Sequence, residues 1–440
     1  MYYDFSKTGS KTPKVKEKQP PLDKRGKLLV ISAIAVLVIS ILGGFGIAKL
    51  IQISQPTPEP EESSKDSEQI ENNLNTAFLK LESNRQNLIY SPLSIKNGLA
   101  LLEAGAAGDT KTQIEDILGD VIILDKSANI KDKLSLANAV FVRDTFKDNV
   151  LKSYSTDVKK VYNAEIIYDS FANSNNIDSW VDQKTFGLIK KLGLKINNST
   201  KMVLANALAI QLDWLHRFDT DDTYGQSFTT ATNETITATT LSMTTHADDI
   251  LYYIGDNITA ITLPLEQAGD AKLEFVAVMP NGDLSNYINS LDLSELSKKL
   301  DLSQTASSVK DGVELYIPKF KFDYELSFVK DLMTLGVKDA FSQTLANFSN
   351  MADTPLYVAD AVHKANIDFS EEGIKAAAVT AFAMTDGSAL NPYIPQPVVI
   401  KFDHPFLFLI RDKENGSIWF IGTVYQPNLW SDDVATYRNR

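Results

Sequence analysis

Glu371-Glu372-Gly373-Ile374-Lys375-Ala376-Ala377-Ala378-Val379-Thr380-Ala381 is the stretch on which the fold of this chain turns. Ahead of it, Ala361-Val362-His363-Lys364-Ala365-Asn366-Ile367-Asp368-Phe369 has the pattern of a strand. Behind it, Asp386 to Pro397 is rich in Gly, Ser, Asn and Pro, which predicts an exposed loop. A small-residue segment opening at a flexible Gly therefore joins a strand to a long loop. Loops of this length are uncommon in compact domains and are usually functional or disordered. Taken alone, Ala376-Ala377-Ala378 favours helix, since Ala is the best helix former.

Other motifs fix the context. Asn87-Leu88-Ile89-Tyr90-Ser91-Pro92-Leu93-Ser94-Ile95 combines a short apolar run with Ser-Pro at a helix entrance, where Pro is tolerated. Leu204-Ala205-Asn206-Ala207-Leu208 is followed by Trp214 and Phe218. Trp180-Val181, Thr185, Gly187 and Ile189 lie upstream. Pro318-Lys319-Phe320, Leu335-Gly336-Val337 and Phe341-Ser342 follow. Phe402-Asp403-His404-Pro405-Phe406-Leu407-Phe408 and Phe420-Ile421-Gly422-Thr423-Val424 close the series. In this order the motifs resemble the serpins, whose hinge reads acidic-acidic-Gly-Thr-x-Ala-Ala-Ala after a His-Lys-Ala strand. The resemblance covers residues 70 to 428 and implies an α+β fold of about nine helices and three β-sheets with an exposed reactive loop. It implies an inhibitor consumed as a suicide substrate, without cofactor or metal, acting on a serine protease.

That resemblance assigns the hinge to Glu371, Glu372, Gly373, Ile374, Lys375, Ala376, Ala377 and Ala378, which enter the central sheet as a strand after the loop is cut. Serpin loop insertion is itself an established instance of strand addition. Counting by twos, Ile374, Ala376, Ala378, Thr380, Phe382 and Met384 face inward, and the single charge, Lys375, faces out. No Pro interrupts the ladder. Ile374 departs from the usual Thr or Ser, and its bulk is expected to slow the first step. The family's spacing puts the reactive bond at Gly387-Ser388, with Asp386-Gly387, Met384-Thr385 and Leu390-Asn391 as alternatives. No Lys or Arg is near, so elastase-, subtilisin- or chymotrypsin-like targets are expected rather than trypsin-like ones. Ser91, Ser94, Asn206 and His363 match the family's polar cluster where the central sheet opens, with Trp214 at the top of that sheet. The alternative reading is a non-inhibitory serpin, a binding or carrier module.

Composition sets the outer limits. With 440 residues, 44% of them apolar and 22% charged, a sizeable core is expected. A net charge of -13 argues against nucleic acid as the main partner. There is no Cys, so disulfides, thiol nucleophiles and zinc-thiolate sites are out. Four His occur, yet no His-Glu-x-x-His, Gly-x-Ser-x-Gly or Gly-x-x-x-x-Gly-Lys motif does, so no enzyme is expected.

Residues 28 to 48 carry no charge and, as a helix, would span the roughly 30 Å of a bilayer core. Lys7, Lys11, Lys14, Lys16, Lys18, Lys24, Arg25 and Lys27 precede them, and Glu59, Glu61, Glu62, Asp66, Glu68 and Glu71 follow. The positive side stays in the cytoplasm. The expected layout is a basic cytoplasmic tail (1–27), a transmembrane signal-anchor (28–48) and a Pro/acidic linker (49–69). An extracellular serpin domain (70–430) and a polar tail (431–440) complete it. The resemblance and this anchor together suggest a membrane-anchored, prokaryotic-type, monomeric serpin. Cleavage after Gly46-x-Ala48 would instead give a secreted one.

Overall fold

A computed structural model describes residues 31–43, 74–82, 84–119, 129–371 and 396–427. Three sheets organise them. The central sheet runs β13 (Phe320–Ser327), β14 (Leu356–Phe369), β1 (Ile31–Gly43), β5 (Thr200–Leu212), β3 (Leu134–Arg143) and β4 (Glu165–Asp169). All its pairings are antiparallel except β3 with β4. The second sheet runs β11 (Gln304–Thr305), β8 (Leu251–Ile254), β9 (Ile258–Pro264), β10 (Leu273–Pro280), β16 (Phe406–Asp412), β17 (Ile418–Val424) and β2 (Leu88–Tyr90). The third runs β15 (Val398–Lys401), β12 (Val313–Pro318), β7 (Thr235–Thr245) and β6 (Tyr224–Thr229). Helix α1 covers residues 74–81. It is followed by α2 (Pro92–Glu103), α3 (Gly108–Leu118), α4 (Lys152–Val161), α5 (Asn175–Lys184), α6 (Leu284–Asn289), α7 (Leu293–Leu300) and α8 (Val329–Thr334). The expected α+β fold of three sheets with flanking helices fits this arrangement.

Strand β5 shows why its sequence is apolar almost throughout. Its odd residues Val203, Ala205, Ala207 and Ala209 pack with Trp180 and Val181 of α5 and Phe141 of β3. Its even residues divide between two other cores. Met202 and Leu204 join the cluster around α2, and Leu208, Ile210 and Leu212 join the one beneath Trp214 and Phe369. Both faces are covered, so alternation in polarity disappears. Asn206 breaks the even row between the two cores and is fully buried.

Helix α2 begins where the sequence predicts. Ser91 is its N-cap, its hydroxyl accepting from the Ser94 amide, and Pro92 opens the first turn. The strand before it, β2, fits closely against β17. A Cβ added to Gly422 would strike the Leu88 carbonyl and the Phe408 ring, so only Gly lets the strands approach there.

The apolar segment read as a transmembrane helix is a correction. Among the described residues no helix is long and apolar enough to cross a membrane. Residues 31–43 of the expected 28–48 span form β1, a strand inside the central sheet. Ile39, Ser40 and Ile41 are buried there, with both Ile side chains in the α2 core. A strand hydrogen-bonded on both edges and covered on both faces needs the same uncharged, unpatterned sequence as a membrane span. β-Branched Ile31, Ile34, Val36, Val38, Ile39 and Ile41 suit it to a sheet.

Candidate functional site

The site is assembled around the edges of β14 and β5 that face each other across β1. At mid-sheet, the N-terminus of α2 lies under both. The Ser91 amide donates to His363 Nε2 at 3.2 Å, so that nitrogen is the acceptor and the neutral ring carries its proton on Nδ1. The Ser94 hydroxyl donates to Asn206 Oδ1. Asn206 Nδ2 donates to Asn138 Oδ1 at 2.8 Å, and Asn138 Nδ2 to the Tyr162 carbonyl at 2.9 Å. Ser91, Ser94, Asn206 and His363 are all at 0% exposure. The expected four residues are therefore brought together, in a chain of hydrogen bonds that satisfies buried polar groups. Asn138 extends the chain and was not anticipated. Its signal in the sequence is a lone amide in the mostly apolar run Leu134 to Val142, where a buried amide demands a partner.

The strands bearing this cluster are held apart. Leu37 of β1 is the register partner of both His363 and Asn206. β14 and β5 thus stand two strand spacings apart, about 10 Å. Ser91–His363 and Ser94–Asn206 contacts persist with a strand in place between them.

Trp214 sits elsewhere, past the end of β5, bridged to Leu265. Its indole N–H donates to the Ser370 carbonyl at 3.0 Å. Its ring packs edge-on against Phe369 at 5.2 Å, Phe275 at 5.8 Å and Phe218 at 6.0 Å. It therefore braces the end of β14, next to the expected hinge. One residue on, Glu371 is buried and paired with Lys319 at 2.9 Å, both side chains about 5% exposed or less. Alongside, Lys321 pairs with Asp368 at 2.6 Å. Burial pushes the Asp368 carboxyl above its ordinary value, against the pull of Lys321. The Lys319–Glu371 pair joins positions 52 residues apart, and no local sequence pattern announces it.

Of the expected hinge, Glu371 is the one residue within the described part of the chain. Glu372 to Ala378, and the bait positions Met384, Asp386, Gly387, Ser388 and Leu390, lie outside the described residues. His404 and His216 are engaged in contacts of other kinds. His404 meets Asp403 at 2.9 Å through Nδ1 and the Pro280 carbonyl at 2.9 Å through Nε2. His216 Nε2 meets Asp249 at 2.5 Å.

Comparison with known proteins bears on the same region. A family profile described as Serpin (serine protease inhibitor) matches residues 73–427. An uncharacterized serpin-like protein of Methanosarcina mazei is 28% identical over 370 residues, covering 79% of this chain and 83% of the relative. Alpha-1-antichymotrypsin of Homo sapiens is 28% identical over 370 residues, covering 79% and 84%. Equal similarity to both does not separate a prokaryotic type from any other. Among solved structures, thyroxine-binding globulin in complex with thyroxine superposes with a TM-score of 0.66 at 26% identity, covering 83% of this chain and 99% of that one.

Proposed function

This chain belongs to the serpin family, whose members are typically inhibitors of serine proteases, and from that premise we propose that it traps its target as a suicide substrate. The protease's serine attacks the carbonyl carbon of the bait bond and expels the amine of the next residue, which takes up a proton. The protease is left as an acyl-enzyme on the N-terminal side. The freed hinge then adds to the central sheet beside β14, carrying the protease with it. Displacing catalytic groups by about an ångström already costs roughly 100-fold in rate, so deacylation stalls.

The observation that carries this proposal is the central sheet itself. It accommodates a full antiparallel strand next to β14, the strand from which the hinge emerges. Glu371, fixed by Lys319, sets the point of departure. The proposed bait bond is Gly387-Ser388, then Asp386-Gly387, Met384-Thr385 or Leu390-Asn391, and the proposed targets are elastase-, subtilisin- or chymotrypsin-like. Serpin domains are typically extracellular, which agrees with an outward-facing domain.

One observation favours a second reading. The place the hinge would take is filled by β1, and a sheet that stayed filled would make the protein a non-inhibitory binding or carrier module. The two are separated by mixing the chain with elastase, subtilisin and chymotrypsin on denaturing gels and weighing the released C-terminal fragment. A covalent band supports trapping, and the mass gives the bait bond. In the same assay Ala378→Arg converts an inhibitor into a substrate. Equal trapping by that variant would remove the insertion mechanism.

A further inference from the structure

We propose that residues 31–43 are a resident strand that keeps the hinge out of the central sheet, and that an anionic phospholipid bilayer is what draws it out. The role of the hinge rests on the suicide-substrate proposal; the exchange of the strand between sheet and bilayer does not.

Direction and position support the first half. β1 is antiparallel to β14 and starts beside its end, with Ser32 opposite Asp368 and Ala33 opposite Ile367. A hinge leaving β14 after Phe369 and turning at Glu371 would run back along β14 in the same sense, over the same rungs. Both edges of that position are already taken, since β1 also pairs with β5 from Ile31 opposite Leu212 to Leu42 opposite Thr200. Backbone groups of β14 and β5 cannot serve two strands at once.

The second half follows from the sequence of the resident strand. Residues 28 to 48 carry no charge and meet the length a bilayer core requires. Lys24, Arg25 and Lys27 stand immediately before them, and such basic clusters are drawn to anionic headgroups. The ladders that hold the strand are also irregular near its far end, where β14 and β5 each carry one extra residue. Its register slips against β14 between Ser40 and Ile41, and against β5 between Ile41 and Leu42. The segment thus satisfies two environments that cannot be occupied together, and the bilayer is the one that leaves β14 and β5 unpaired.

The chain has no cysteine, so introduced pairs report directly. Ser40 is the partner of Val203, and Ile39 of Leu204. Facing residues of antiparallel strands lie about 4.5–5.5 Å apart at Cα, within disulfide reach. The full chain is made as Ser40→Cys with Val203→Cys, as Ile39→Cys with Leu204→Cys, and as the off-register control Ser40→Cys with Leu204→Cys, whose side chains fall on opposite faces. In detergent-free buffer both in-register pairs are expected to oxidise and the control not. Adding vesicles of phosphatidylcholine with about one third phosphatidylglycerol before oxidation is expected to cut the cross-link about tenfold or more, and neutral vesicles far less. Failure of both in-register pairs to cross-link above the control overturns occupancy of the sheet. Cross-linking unchanged by the anionic vesicles overturns the bilayer as the competitor.

Protease trapping is then compared between oxidised chain and reduced chain on vesicles. The locked form is expected to be cleaved without a covalent band and the released form to give one. Equal trapping by the locked form overturns the resident-strand role. If the cross-link responds to vesicles and neither form traps, the strand exchange stands and the suicide-substrate proposal falls.

Discussion

Removing one partner of the Lys319–Glu371 pair should destabilise the fold more than any surface charge would. The two groups are 2.9 Å apart and side-chain exposure is 5% and 4%. At an effective dielectric near 20 their attraction is about 6 kcal/mol before desolvation. Deleting either charge leaves the other buried and uncompensated, which costs about 3–5 kcal/mol. A domain of about 350 residues melts with an entropy near 0.7 kcal/mol/K, so Lys319→Met or Glu371→Met alone should lower Tm by about 4–7 °C. Replacing both with Met should recover most of that loss, because apolar pairs of similar volume substitute well for buried ion pairs. The assay is a double-mutant cycle read by thermal scans at fixed rate and by urea midpoints. Single variants that each lose less than about 1 kcal/mol, or losses that simply add in the double variant, would refute the assigned coupling.

Three further outcomes are expected. Asn206→Ala strips Ser94 Oγ of its acceptor and Asn138 of its donor, and should cost about 1–3 kcal/mol for each group left unpaired; a urea midpoint matching the parent would sink the cluster's role. Trp214→Phe keeps an aromatic ring but loses the bond to Ser370 and leaves part of the indole's space empty, for a loss of about 1–3 kcal/mol in the same measurement. Burial, with Glu82 adding to it and Lys330 opposing, pushes the Asp331 carboxyl from 3.8 up to about 6. Its folded pKa exceeds its unfolded one, so its contribution is present below about pH 4 and is lost as pH rises through 6. Asp331→Asn should therefore stabilise the protein at pH 7.5 and change little at pH 4, and a Tm gain independent of pH would contradict this.

Much of this architecture can be read from residues alone, for reasons that also explain where the reading fails. Met202 to Leu212 announces a doubly covered strand, and β5 occupies Thr200–Leu212. Ser91-Pro92 announces the entrance of α2, and the cap is there. Residues 28 to 48 carry the same uncharged signature as Met202 to Leu212 over a greater length, and length is the criterion that sends such a run to a membrane. No periodicity distinguishes lipid on all sides from protein on all sides. The polar cluster was legible through its family pattern, whereas Asn138 and the Lys319–Glu371 pair depend on contacts between elements distant in sequence. Strand β7, in which Thr recurs throughout Thr235–Thr245, offered no apolar run to find.

Because β1 and a returning hinge share one polarity along β14, they stand to it as two like strands of nucleic acid stand to one template. Exchange between them is branch migration. The invader takes its first rungs beside Asp368 and Ile367, where Ser32 and Ala33 now pair. Away from a bilayer, each rung gained by one strand is vacated by the other in the same step, so the count of unpaired backbone groups at the junction stays constant; a bilayer that holds the resident opens the lane to the invader. The rate is then set by those opening rungs, and strand length matters little. The resident leaves last from Ser40 to Leu42, where its ladders are already out of step on both sides.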